Sequence, residues 1–330
     1  MENREYDVVG IGNAVVDVIA RVEERFLTKH SLQKGFMQLI EEDAISDLYD
    51  DMGPAIERSG GSVANTIAGL ASFGANVGFI GKVGDDQFGE VFRHDITSLG
   101  VAYETQPGPI GTGRCLIMVT PDGERTMSTF IGAGTGFTAK DLSATLIERA
   151  NVVFLEGYLF DQPEAKKAFH EAARMTREAG GKVALSLSDA FCVDRHRADF
   201  LKLVKEGVDI VFANEKEATA LYETNEFDDA AKTMAEDCEL AILTRSEEGS
   251  IVFADGSPVT IPPEKVDPVV DVTGAGDLYA AGFLFGLSRG EPLETCGRLG
   301  SRAAAEVISH IGARPEIALK TLLNGVGAGR

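Results

Sequence analysis

The chain has no tryptophan and only four cysteines in 330 residues. Cys115, Cys192, Cys238 and Cys296 lie far apart, with no CxxC pair and no zinc-ligand spacing. This argues against a disulfide scaffold or a thiolate metal centre and leads us to expect reduced thiols in a cytoplasmic protein. Positive charge is also scarce: 31 Lys and Arg stand against 52 Asp and Glu, a net charge of −21. Such a chain is a poor partner for nucleic acid or an anionic membrane surface, and we expect neither. No apolar run is long enough to span a bilayer. The N-terminal Met-Glu-Asn-Arg-Glu-Tyr-Asp lacks the apolar core of a signal peptide, so none is expected. Low-complexity segments and internal repeats are missing too.

Several nucleotide and hydrolase motifs are likewise absent. The two Gly-Lys pairs, Gly81-Lys82 and Gly181-Lys182, are each followed by valine and lack the upstream glycine of a Walker A loop. Gly10-Ile11-Gly12 follows a strand-like run, but Val15 stands where a dinucleotide fingerprint needs its third glycine. There is no HExxH, no GxSxG and no protein-kinase HRD–DFG set.

What is present is an alternation of strand-like and helix-like runs over almost the whole chain, the pattern of an α/β protein. Val152–Leu155, Val183–Leu187, Ile210–Ala213 and Ala241–Thr244 read as buried strands separated by helices, as in a doubly wound, mostly parallel sheet. Tyr6–Gly12 reads as a first strand and Val77–Ile80 as another. Ser59–Ser62 reads as a loop with Ser62 capping a helix that stops at Gly74. Arg114–Thr120, Pro121-Asp122-Gly123 and Glu124–Phe130 read as a β-hairpin. We expect one domain over residues 1–330, with a small β-rich lid built from about 14–45 and about 101–130.

Four patches carry chemistry. In Gly274-Ala275-Gly276-Asp277, a tight turn aims N–H groups at one point at the start of an apolar helix, an anion site. A carboxylate there is placed to take a proton from a hydroxyl attacking that anion. Gly60 and Gly61 permit close backbone approach, and Asn65 follows in the first helical turn. Asn13 and Asp17 lie just past the first strand, where a carboxylate can hold vicinal hydroxyls. Asn214 and Glu217 follow a strand end and supply oxygen ligands for a water-shelled Mg²⁺. Taken singly, each can also be read as an ordinary loop or helix start, the Gly274–Asp277 turn least readily.

In this order along the chain the four resemble the ribokinase family, also called the PfkB carbohydrate kinases, over essentially the full length. Gly60–Phe92 is similar to the family's first signature, with Gly-Gly-x-x-x-Asn and then Gly81-Lys82-Val83-Gly84-Asp85-Asp86-x-x-Gly89. Asp271–Leu284 fits the second, more specific signature. Asn214–Glu217 matches NxxE, and Thr244–Gly249 resembles a T-x-G-x-x-G nucleotide loop with Ser246 at the middle glycine. The resemblance implies a ribokinase-like fold and phosphoryl transfer from ATP with Mg²⁺. Asp277 would be the general base and Gly274, Ala275 and Gly276 the anion hole. Asn214 and Glu217 would organise the metal, while Thr244, Gly249, Thr273 and His310 would lie along the nucleotide. It also implies a monovalent cation, K⁺, near the Asp271–Thr273 backbone, and Arg125 reaching phosphate as the lid closes.

The acceptor side would use Asn13, Asp17, Gly60, Gly61 and Asn65. Gly12-Asn13-x-x-x-Asp17 followed by Phe26-Leu27-x-x-x-Ser31-Leu32 resembles the adenosine kinase branch, which implies a purine nucleoside with Gln38 and Tyr158 near its base. A free-sugar kinase of the same chemistry, and a nucleotide-binding regulator without turnover, stay open at this point. Either a monomer or a homodimer fits.

Overall fold

The computed structural model describes residues 4–254 and 256–324; Met1–Asn3 of the polar N-terminus lie outside them. Nine strands form one sheet. Third from one edge, Tyr6–Ile11 pairs in parallel with Val77–Ile80 on one side and Ala150–Glu156 on the other. Lys182–Ser186, Ile210–Asn214 and Leu240–Thr244 follow in parallel register. The hairpin Ser250–Ala254/Ser257–Ile261 ends that edge antiparallel, and Ala102–Tyr103 closes the other. The inner strands are apolar on both faces because both faces are covered by helices. Val8, Val152 and Phe154 enter one core, while Val9, Val153 and Leu155 enter the other.

The order of strands reverses beside the first strand, which puts the carboxyl ends of Tyr6–Ile11 and Ala150–Glu156 at a topological switch point, the usual place for a site in an open α/β sheet. Above it, the Ala275–Ser288 helix is buried nearly all round, as a helix with no polar stripe must be. It packs closely on the Ser62–Phe73 helix: a Cβ on Gly69 would come within 2.8 Å of Leu278 and Ala281.

A second sheet of five strands forms the lid, in the order Met37–Leu39, Arg125–Phe130, Gly113–Val119, Val15–Arg21, Ile56–Gly60. The lid therefore reaches beyond the two expected segments. Ile56–Gly60 pairs antiparallel with Val15–Ile19, although its polar Glu57-Arg58-Ser59 core gives little strand signal and reads as loop. Residues 102–103 belong to the main sheet instead. Ser62 is not a cap: Gly61, at φ 104°, holds the N-cap position of the Ser62–Phe73 helix. That helix does stop at Gly74, in the left-handed conformation. Among the described residues, no helix is long and apolar enough to cross a membrane.

Candidate active site

Asp277 lies in the first turn of the Ala275–Ser288 helix. Gly274 precedes the helix at φ 79°, and a Cβ there would sit 2.8 Å from Ala313, so glycine is required by backbone and by space alike. Nothing stands within 4 Å of where a Gly276 Cβ would project, so this turn faces an open cleft. The Ala275 N–H is already donated to the Val272 carbonyl at 3.2 Å. It is therefore not a free donor of the expected anion hole. No backbone acceptor among the described residues takes the Gly276 or Asp277 N–H, and these carry the positive end of the helix dipole.

The Ser62–Phe73 helix orients Asp277. Ser62 Oγ donates to Asp277 Oδ1 at 2.7 Å, Asn65 Nδ2 to Oδ2 at 3.0 Å, and Thr66 Oγ1 to the Asp277 carbonyl at 3.0 Å. Burial lifts the carboxyl pKa to about 6, against the pull of these hydrogen bonds and of Arg314. A carboxyl so placed changes its charge just below neutrality.

On the acceptor side, Asp17 projects from the lid strand Val15–Arg21, and burial pushes its pKa up to about 7 against the opposing charges of Arg314 and Arg125. Gly60 and Gly61 make room for protein atoms: a Cβ on Gly60 would lie 2.5–2.7 Å from the Asp17 carboxylate, and one on Gly61 would strike the Asn13 carbonyl. Asn13 is buried, its Nδ2 bonded to Glu156 Oε1 at 2.8 Å and its Oδ1 left without a partner. Cross-strand partners share a face. The Asp17 face of the lid therefore also carries Arg58, Cys115, Ile19, Ile117, Arg125, Met127 and Thr129, with Ile56, Met37 and Leu39 towards its edges.

Gln38 is not on that face. It pairs with Ser128, donates to Ser128 Oγ at 3.4 Å and points the opposite way, so the structure does not bring it to the acceptor pocket. Tyr158 follows the Ala150–Glu156 strand, and its hydroxyl is held protonated by burial and by Asp189, Asp277, Glu217 and Glu156. It lies in the short helical turn Gly157–Asp161, within reach of the charge of these acids.

Towards the nucleotide end, a cavity of about 210 Å³ joins Asp277 to Ser186, Asn214, Glu217 and Thr244. Asn214 and Glu217 form a reciprocal capping box: Asn214 N and Nδ2 donate to the Glu217 carboxylate at 2.9 and 2.5 Å, and Glu217 N to Asn214 Oδ1 at 2.9 Å. Burial raises Glu217 to about 7. One carboxylate with an amide suits the outer waters of a Mg²⁺ ion carried on phosphates. No all-protein cage exists, since the described residues hold no cluster of three His, Cys, Asp or Glu ligands. Ser246 takes φ 49°, the backbone a glycine would adopt. Gly249 at φ 85° closes the same turn, where a Cβ would strike the Ile261 carbonyl. His310 is engaged by Glu306, 3.3 Å from Nε2, and does not line this cavity.

Arg125, on the lid hairpin, reaches the signature loop: Nη1 lies 2.5 Å from Asp271 Oδ2 and 2.9 Å from Thr273 Oγ1. Asp271 also accepts from Thr273 Oγ1 and from Gly312 N. Thr273 thus takes part in this clasp.

Two residues escaped the sequence reading. Glu156, fully buried, accepts from Asn13 N, Asn13 Nδ2 and Val63 N at 2.8–3.1 Å and has its pKa raised to about 7. The only hint was an acid ending a buried strand. Arg314 donates from Nε to Asn65 Oδ1 at 2.7 Å, and no motif flags it.

A helix-borne carboxylate beside free N–H donors at the switch point of the sheet accords with what comparison with known proteins shows, an ATP-dependent phosphotransferase with an alcohol acceptor. The chain belongs to the pfkB family of carbohydrate kinases, whose pattern matches residues 55–319. It is 30% identical over 329 residues to the adenosine kinase of Saccharomyces cerevisiae, covering 92% of this chain and 95% of that one. The crystal structure of adenosine kinase from Sinorhizobium meliloti matches with 49% identity and a TM-score of 0.90, over 97% of this chain and 98% of that one. A probable sugar kinase from Rhizobium etli matches with 44% identity and a TM-score of 0.91, over the same shares. The ribokinase-like α/β fold and the adenosine kinase-like branch both stand on these likenesses.

Proposed function

We propose that this protein transfers the γ-phosphoryl group of ATP to the 5′-hydroxyl of a purine nucleoside, adenosine. Asp277 takes the hydroxyl proton as that oxygen forms its bond to the γ-phosphorus, and the bond to the β-γ bridging oxygen breaks to release ADP. The Gly276 and Asp277 N–H groups, with Gly274 shaping the turn, offset the charge on the phosphoryl oxygens. Arg125 adds a cation when it exchanges Asp271 for phosphate. Glu217 and Asn214 steady the waters of Mg²⁺, which itself neutralises phosphate charge when bound. Thr244 lines the nucleotide end, and K⁺ beside the Asp271–Thr273 backbone would rigidify the same loop.

The observation that carries the nucleoside reading is the make-up of the lid face. Asp17 supplies a carboxylate suited to ribose hydroxyls, with Arg58 and Arg125 on the same face, and Ile19, Ile117 and Met127 add apolar surface suited to a flat ring. The relatives named adenosine kinase support the same choice. The likeness to a probable sugar kinase makes a free sugar the competing acceptor.

The test is ATP-dependent phosphorylation of adenosine, guanosine, inosine, ribose and fructose, each with Mg²⁺ and K⁺. Strong turnover of adenosine with little on free sugars is expected. Turnover of ribose or fructose alone would overturn the nucleoside reading while keeping Asp277 as base. No turnover on any of the five would overturn the kinase assignment for these acceptors.

A further inference from the structure

The tripeptide Gly312-Ala313-Arg314 lies far along the chain from the signature loop yet meets it at three points. The Gly312 N–H donates to Asp271 Oδ2 at 2.7 Å. Ala313 packs where a Gly274 Cβ would stand, 2.8 Å away. Arg314 Nε donates to Asn65 Oδ1 at 2.7 Å, and Asn65 Nδ2 donates to Asp277 Oδ2 at 3.0 Å.

We propose that Arg314 is a positioning residue for phosphoryl transfer: acting through Asn65, its guanidinium fixes the Asp277 carboxylate in its productive orientation. The proposal rests on the reading of Asp277 as general base. The chemistry of the chain of bonds is directional. A guanidinium only donates and an ionised carboxylate only accepts. The Asn65 amide between them has a single satisfying orientation, oxygen to Arg314 and nitrogen to Asp277. Remove the guanidinium and the amide is free to flip, which would set its oxygen against Asp277 Oδ2 and lose the bond.

Charge acts in the same direction. Arg314 faces Asp17, Asp95 and Asp277, and its Nη2 is buried without a partner. On its other side it lines a separate cavity of about 800 Å³ with Arg58 and Asp95. Burial lowers its own pKa only to about 10, so it stays cationic at neutral pH. The groups facing Asp277 are Ser62 and Asn65 on one helix, Arg314, the acids Asp17, Glu156 and Glu217 on three other elements, and the Tyr158 hydroxyl. Arg314 is the cation whose charge acts directly on the Asp277 carboxyl and lowers its pKa.

The experiment compares pH–rate profiles of the wild type, Arg314→Lys, Arg314→Gln and Arg314→Met with the acceptor that the wild type turns over. A wild type without turnover on any acceptor would sink the underlying kinase reading rather than this one. The acid limb of kcat should move to higher pH by about one unit in the Gln and Met variants, which remove the cation. It should stay in place in the Lys variant. Arg314→Met, which removes every side-chain donor as well as the charge, should lower kcat by about tenfold or more with the KM for ATP unchanged. An acid limb that does not move in Arg314→Gln, with kcat within about twofold of wild type, would overturn the proposal. Should the Met or Gln variant fail to fold, a ¹³C titration of aspartate carboxyls in wild type and Arg314→Lys, with Asp277→Asn for assignment, reads the Asn65 link directly. Arg314→Lys keeps the charge but not the Nε donor, so the Asp277 pKa should hold while its carboxyl chemical shift moves, and an unaltered shift would refute the link.

Discussion

Arg125 Nη1 and Asp271 Oδ2 lie 2.5 Å apart, one on the lid hairpin and the other on the loop that leads into Asp277. Both side chains are largely buried, so the pair holds lid to body over the nucleotide end of the cleft. A buried pair broken on one side leaves a costly charge behind, so the clasp opens only when another anion meets Arg125.

A phosphate meets that requirement. Arg125→Gln should therefore lower kcat by about 100-fold, the order seen for loss of one donor to a charged transition state, with a smaller effect on the KM of the acceptor. Steady-state kinetics decide it. Equal losses in kcat and in acceptor affinity would instead place Arg125 in acceptor binding.

Activity and stability should respond to acid in opposite directions. Asp277 must be ionised to act, so kcat should fall as pH drops through about 6. Asp17, Glu156 and Glu217 have folded pKa values raised to about 7 from ordinary values of 3.8 and 4.5. Groups of this kind bind protons more tightly when folded, so their contribution is complete below about 4 and is lost as pH rises through about 7. Tm without ligands should accordingly rise on acidification from pH 7.5 to pH 5.5, while kcat falls. A Tm that drops over the same interval would contradict the burial of these carboxyls.

How far the sequence foretold this site depends on what fixed each residue. The strands of the second half were legible because each is a short apolar run covered by helices on both faces. The Gly274–Asp277 turn was legible because one local geometry demands those residues. Gln38 was not: Phe36, Met37, Leu39 and Ile40 are all apolar, so no alternation tells which face is in, and a shift of one residue reverses every side chain. Glu156 and Arg314 were hidden because their partners, Asn13 and Asn65, come from the other end of the chain. Asn214–Glu217 carries both of its readings at once, a helix cap and a cleft-lining pair.

The lid register makes a contrast of its own. Gln38→Ala should leave acceptor KM within about twofold, while Met127→Glu, which places a charge on the apolar face beside Asp17, should raise it by about tenfold or more. Kinetics with the preferred acceptor check both. A large effect of Gln38→Ala with none from Met127→Glu would mean that the acceptor meets the opposite face of the lid.

Glu156 ties Asn13 to the start of the Ser62–Phe73 helix. Glu156→Ala strands three buried donors and should cost about 3 kcal/mol in urea unfolding. A loss below about 1 kcal/mol would show that water replaces the carboxylate there.

The most direct test of the central claim follows ³¹P and ¹H NMR of adenosine with Mg-ATP in the presence of wild-type protein and of Asp277→Asn. The expected products are 5′-phosphorylated nucleoside and ADP with the wild type, and a rate lower by about 10²–10⁴ is expected with the variant at unchanged ATP affinity. Equal rates in the two proteins would remove Asp277 from the chemistry and contradict the mechanism.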